Sequence, residues 1–210
     1  MNNATTDRDL LILEPLLYVD PFLSVQTLCG GSDGHLAATA FSSTACDFQA
    51  AGVQAGMVLC AWAGGREPIA YEVLAIASAH ALTVSMLREQ PDGPALPPAA
   101  VSGALSFRVH TYRPQLLSVA QRILEGLHRA DQADVDLASA GDSPRFRQAV
   151  ALGAAADIFS ARVVSGAADD VNAQKAQLYR GLFDSAVESF QLASASGPAA
   201  GTGNVQLRRA

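Results

Sequence analysis

Three groups of residues carry side chains of the kinds that do chemistry. They are Cys46-Asp47 with His35, a scatter of cysteines and histidines, and the run Asp131, Asp134, Asp136. A thiol, a carboxylate and an imidazole make a nucleophile, an orienting acid and a base when they converge. Cys46 stands at a strand-to-loop boundary and Asp47 is suited to cap a turn, so the turn reading is favoured over a catalytic one. Zinc needs ligands at close paired spacing. Cys29, Cys46 and Cys60 are far apart, and His35, His80, His110 and His128 form no pairs. The three aspartates have the alternation of a calcium loop, but no closing glutamate follows them, so a solvated loop is expected. Gly30-Gly31 and Gly64-Gly65 lead into no Lys-Ser or Lys-Thr helix, and read as hairpin turns instead of phosphate cradles. No catalytic residue, metal or cofactor is assigned, and the chain is not expected to be an enzyme. A competing reading, a small β-barrel ligand-binding module or enzyme, requires a deep pocket with polar groups converging near Trp62, Tyr71 and His80.

The elements that would position these residues follow from composition and period. Of 210 residues, 50% are apolar and 16% charged, enough to bury a core. Aromatics are only 6%, and alanine supplies much of the apolar count, so helices are expected to pack closely. A net charge of −6 without a cluster of cations argues against broad nucleic-acid binding. Three scattered cysteines do not form a disulfide framework. The start of the chain lacks a basic, then apolar leader, and the apolar patches are shorter than a bilayer requires. A soluble protein from a reducing compartment is expected, with no membrane partner.

Four sections separate. Residues 1–23 form an N-terminal segment in which Asp7 is suited to cap a short helix and Pro15 and Pro21 break any longer one. Residues 24–112 are β-rich. Val25–Cys29 and His35–Phe41 are expected to pair as a hairpin across the turn Gly30–Gly34. Further strands are expected over Met57–Trp62, Ile69–Ile76, Leu82–Leu87 and Leu105–Tyr112, on period-two alternation such as Tyr71, Val73, Ala75. Short strands at close spacing predict a small antiparallel barrel or sandwich. Residues 113–193 predict a bundle of about three helices. The first starts at Pro114, the second at Ser143-Pro144 with a stripe Phe146, Val150, Ala154, Ile158, Ala161, and the third near Asp169-Asp170. On the third helix Leu178, Leu182, Ala186 and Phe190, with Tyr179, Phe183 and Val187 beside them, are expected to form the packed face. Residues 194–210 are an extended C-terminal arm: a Gly-Pro-Ala stretch unable to build a core, ending in the alternating Val205-Gln206-Leu207-Arg208-Arg209. The fold class is therefore α+β, and Val205, Leu207, Arg208 and Arg209 are the candidate partner-contact residues.

Two stretches resemble a known family. Cys46-Asp47-Phe48 through Ala50-Ala51-Gly52-Val53-Gln54-Ala55-Gly56, then Tyr71-Glu72-Val73-Leu74 and Ala81-Leu82-Thr83-Val84, resembles a β-module of tailed-bacteriophage structural proteins. Arg147–Phe159 followed by Lys175–Ala186 is similar to the paired helices of phage head–tail adaptor (connector) proteins, including a Lys-x-x-x-Tyr helix with a downstream Phe. The resemblance covers about half the chain. It implies a structural virion protein of the neck, made in the host cytoplasm. It implies a homo-oligomeric ring, a dodecamer in that family, between portal and tail proteins, with DNA passing through passively. The C-terminal arm would extend onto the portal or a neighbouring subunit and add a strand to an exposed sheet edge. The β-section is larger than compact adaptors carry, so other neck, tail-tube or tail-completion roles stay open.

Overall fold

The computed structural model describes residues 5–20, 26–101, 103–129, 143–163 and 170–195. The arm with Val205, Leu207, Arg208 and Arg209, and the run Asp131, Asp134, Asp136, lie outside the described residues. In chain order come α1 (Asp7–Leu13), α2 (Leu16–Val19), β1 (Thr27–Ala37), β2 (Ala40–Ser42), β3 (Val58–Trp62), β4 (Ile69–Ser78), β5 (Ala81–Ser85) and β6 (Leu105–His110). Three longer helices follow: α3 (Arg113–Arg129), α4 (Pro144–Ser160) and α5 (Val171–Ala195). The class is α+β.

The six strands close into an antiparallel barrel in the order β1-β2-β5-β4-β3-β6, with β6 returning to β1. Of the barrel and the sandwich, the chain makes the barrel. Closure leaves every strand with two neighbours, so this sheet offers no free edge for strand addition. The edge that the resemblance implied for a neighbour's arm is absent among the described residues.

Inside the barrel, period-two alternation sends Leu59, Ala61, Tyr71, Val73, Leu82, Val84, Phe107 and Val109 to one core. Phe107 stacks edge-on to Phe41 at 5.0 Å, and Phe48 completes a three-ring cluster at 6.0 and 6.2 Å. The alternate residues Val58 and Cys60 of β3 face outward into a second core made by the helices. Burial on both faces explains why β3 reads as one unbroken apolar run.

The expected hairpin across Gly30–Gly34 is wrong. These glycines lie within β1, and the turn falls after it, where Ala38 adopts φ +50°. The glycines are there for room. A Cβ on Gly34 would stand 2.7 Å from Phe41 Cζ, and one on Gly31 2.9 Å from Phe107 Cε1. The expected cap also differs. Asp9 accepts from the Thr6 backbone N at 2.9 Å at the start of α1, while Asp7 turns into the interior.

Ser143 caps α4 as expected, with Pro144 in the first turn. The helix is not one-sided: Ala149 through Ala156 are buried in an unbroken run, and Ala161 is exposed. It is the central helix, covered by both α3 and α5. Close packing depends on Gly153, where a Cβ would lie 2.6 Å from Val119 Cγ1 and 2.8 Å from Phe183 Cε2. In an exposed helix, Gly→Ala stabilises by about 1 kcal/mol. Here Gly153→Ala is expected to destabilise by about 1–2 kcal/mol, because overpacking outweighs propensity. A rise in the urea midpoint would refute this.

Helix α5 also differs from expectation. Tyr179 and Ala176 are buried, and Phe183, Ala186 and Val187 pack on the helical core. Leu178 and Leu182 point away from it, at 59% and 46% exposure. The buried side of the helix is the one that carries Tyr179, whose ring stacks on Phe159 (5.8 Å, 9°). Phe190's side chain lies outside the described residues.

Candidate functional site

The thiol-acid-base set does not assemble. Cys46 is buried in the barrel core, whereas Asp47 is exposed and its Oδ1 accepts from Ala50 N at 2.9 Å, closing a turn. His35 is exposed on β1, and among the described residues no hydrogen bond joins it to either. The imidazole near Cys46 is that of His80, whose Nδ1 lies 2.8 Å from the Cys46 carbonyl oxygen. Burial and contact with the Cys46 thiol push the Cys29 thiol well above its ordinary value, which keeps it protonated. Among the described residues, no group of three or more His, Cys, Asp and Glu is placed to hold a metal ion.

Trp62, Tyr71 and His80 do not converge either. Tyr71 is inside the barrel, and His80 sits at the turn between β4 and β5. Trp62 stands on the outer wall, with the Arg108 guanidinium 5.2 Å over its ring. Together with Tyr18, Cys60, Pro68 and His110 they line a cavity of about 230 Å³. Beside the charged Arg108, its Tyr18, Cys60 and His110 side chains are held toward their neutral forms. Burial, then the Arg108 charge, lowers the His110 pKa. Burial raises the Cys60 thiol to about 12, and the thiol donates to the Tyr18 carbonyl oxygen at 3.1 Å.

The polar chemistry of this molecule is concentrated instead along the seam where α1 and α2 join barrel to bundle. Asp7 is 3% exposed and accepts from Tyr112 N (2.6 Å), Thr111 Oγ1 (2.7 Å) and Tyr18 Oη (2.9 Å). Burial raises its pKa, and these donors oppose the rise. One residue on, Arg8 lies beside Glu72 of β4 at 3.2 Å, and Arg88 holds the same carboxylate with two bonds, at 2.8 and 3.1 Å. At the end of α1, Glu14 accepts from Lys175 Nζ at 2.8 Å and Tyr179 Oη at 2.9 Å, which ties α5 to the N-terminal segment. Two further helix cations are paired as well. Arg122 and Arg180 both hold Asp157, at 2.8 and 2.9 Å, across the three-helix face. These exposed pairs contribute little individually.

Sequence reasoning did not single out Asp7, Arg8, Glu14 or Glu72 as parts of one structure. The signal available was weak: a charged residue at every turn of a short helix that also carries Leu10 and Leu11.

The remaining surface feature is apolar. Val171, Leu178 and Leu182 recur on one side of α5, all more than 40% exposed. No helix among the described residues is long and apolar enough to cross a membrane. No family model, curated protein or solved structure matches the chain.

Proposed function

We propose that the chain is a structural, non-catalytic subunit: a head–tail adaptor of a tailed bacteriophage or phage-like particle. It forms a ring of identical copies around the DNA channel and joins portal to tail. The observation that carries this reading is the outward row Val171, Leu178, Leu182 on α5. Large apolar side chains aligned on one exposed helical face mark a surface that another protein covers. The filled barrel interior also supports a structural role, since it leaves no room there for a ligand. The resemblance of the Arg147–Phe159 and Lys175–Ala186 helices to connector helices supplies the identity of the assembly. A net charge of −6 suits a channel through which DNA slides without sticking. In this reading α5 meets the neighbouring copy. Val205, Leu207, Arg208 and Arg209 then contact a portal or tail protein along a groove, the closed barrel having no edge to extend.

Analytical ultracentrifugation of the purified chain tests the proposal, alone and with portal and tail proteins. A closed oligomer, the dodecamer implied by the resemblance, is expected. Removal of Gly197 to Ala210 is expected to leave the thermal midpoint within about 2 °C, because the segment has few large apolar side chains, and to abolish assembly. A chain that stays monomeric at every concentration and ignores those partners ends the reading. A truncation that unfolds the subunit would show that the segment belongs to its core.

A further inference from the structure

A cleft of about 300 Å³ opens where α1, the turn before β3, strand β4, the segment after β5 and the first turn of α4 meet. Three guanidinium groups line it, those of Arg8, Arg88 and Arg147, together with the carboxylates of Glu72 and Asp9. Its charges do not cancel: one positive charge remains in excess. Glu72 is shared by Arg8 and Arg88, all three being largely buried. Asp9 is engaged in capping α1 through Thr6. That leaves Arg147 without a carboxylate of its own in the cleft.

Donor inventories point the same way. A guanidinium has five N–H groups. Arg88 uses three of them, two on Glu72 and one on the Gly93 carbonyl oxygen. Arg8 spends its Nη2 on the carbonyl oxygens of Arg88 and Glu89, and its Nε, although 3.2 Å from Glu72, is not aligned to donate to it. The Nε of Arg147 is buried and has no hydrogen-bond partner among the described residues. A buried, unpaired donor on a cation costs free energy unless an anion meets it. Arginine forks match phosphate oxygens, and the three that line the cleft come from separate elements: Arg8 from α1, Arg88 from the segment after β5 and Arg147 from α4. The volume is at the lower limit of small-molecule sites, about 300 Å³, which leaves space for a small organic group beyond the anion.

We propose that this cleft is a phosphate site, taking inorganic phosphate or the phosphate end of a small phosphomonoester, with Arg147 as the residue that closes on it. Nothing in the proposed assembly role requires it, and it stands or falls separately.

The test is isothermal titration calorimetry on the full chain at fixed ionic strength in chloride, with inorganic phosphate, glycerol phosphate and acetate as titrants. Saturable heat is expected for phosphate or glycerol phosphate and none for acetate. Tighter binding of glycerol phosphate identifies the phosphomonoester as the source, and equal binding identifies the free anion. Arg147→Gln is expected to weaken binding at least tenfold, and Arg147→Lys to restore part of it, with unchanged far-ultraviolet circular dichroism. Absence of saturable heat from both phosphates with the wild-type chain overturns the proposal. So does equal binding of acetate, or undiminished binding by a folded Arg147→Gln chain. Should Arg147→Gln not fold, phosphorus NMR of the wild-type chain decides. Line broadening that saturates supports the site, and its absence refutes it.

Discussion

Replacing Asp7 with alanine is expected to cost about 3–4 kcal/mol, a large part of the roughly 5–15 kcal/mol that holds a domain folded. The side chain is small, so little of this is packing. The loss comes from donors stranded in the interior. Without the carboxylate, the Tyr112 N–H and the Thr111 hydroxyl lose their acceptor in a site closed to water. Each unpaired buried donor costs about 1–3 kcal/mol. Tyr18 loses less, because its hydroxyl also reaches the Asp7 carbonyl oxygen at 3.0 Å. Removing a buried charge gives some free energy back, since burial opposes ionisation there. Asp7→Asn keeps one acceptor and most of the shape, so about half the alanine effect is expected. Urea unfolding followed by circular dichroism measures both. An alanine variant within about 1 kcal/mol of wild type would mean that water replaces the carboxylate, contrary to this account.

Phe107→Ala is expected to cost about 3–5 kcal/mol, by lost transfer free energy and by the cavity left behind. The ring is central to the barrel: Phe41 and Phe48 both touch it, and β1 runs past it on glycines that leave no side chain to fill a hole. Neighbouring strands pair with β6 on both sides, which restricts collapse into the gap. At about 2–4 °C per kcal/mol for a chain of this size, the thermal midpoint is expected to fall by about 6–20 °C. Phe107→Leu retains most of the volume and is expected to lose far less. Scanning calorimetry distinguishes the two. Equal shifts for both variants would indicate that ring contacts, and not volume, dominate.

Legibility in the sequence followed the range of the interaction. Period-two alternation placed Tyr71, Val73, Leu82 and Val84 on the inner face, because alternation is a local property of a strand, but it failed at Ala75, which is exposed beyond a register shift after Val73. Ser143-Pro144 gave the start of α4 for the same reason. Gly30–Gly34 misled, since glycine for turning and glycine for room look alike along the chain. What separates them is Phe41 and Phe107 lying opposite. Leu178 and Leu182 were assigned inward from their apolar row, but the side of α5 that is buried is decided by α4 and Glu14, both distant in sequence. The candidate cleft was invisible for a similar reason. Arg8, Arg88 and Arg147 are far apart in the chain, and no spacing rule links them.

The bonds from Glu14 to Lys175 and Tyr179 span 161 and 165 residues, and the bond from Asp7 to Tyr112 spans 105. During synthesis the N-terminal helices emerge first and reach their final partners last. Closing such long loops slows folding more than it lowers final stability. The barrel, whose last strand ends at His110, is positioned to form while α5, which starts at Val171, is still inside the ribosome. The opening segment must then wait, with Leu10, Leu11 and Leu17 incompletely covered, until α4 arrives to pack on α1 and α5 to bind Glu14.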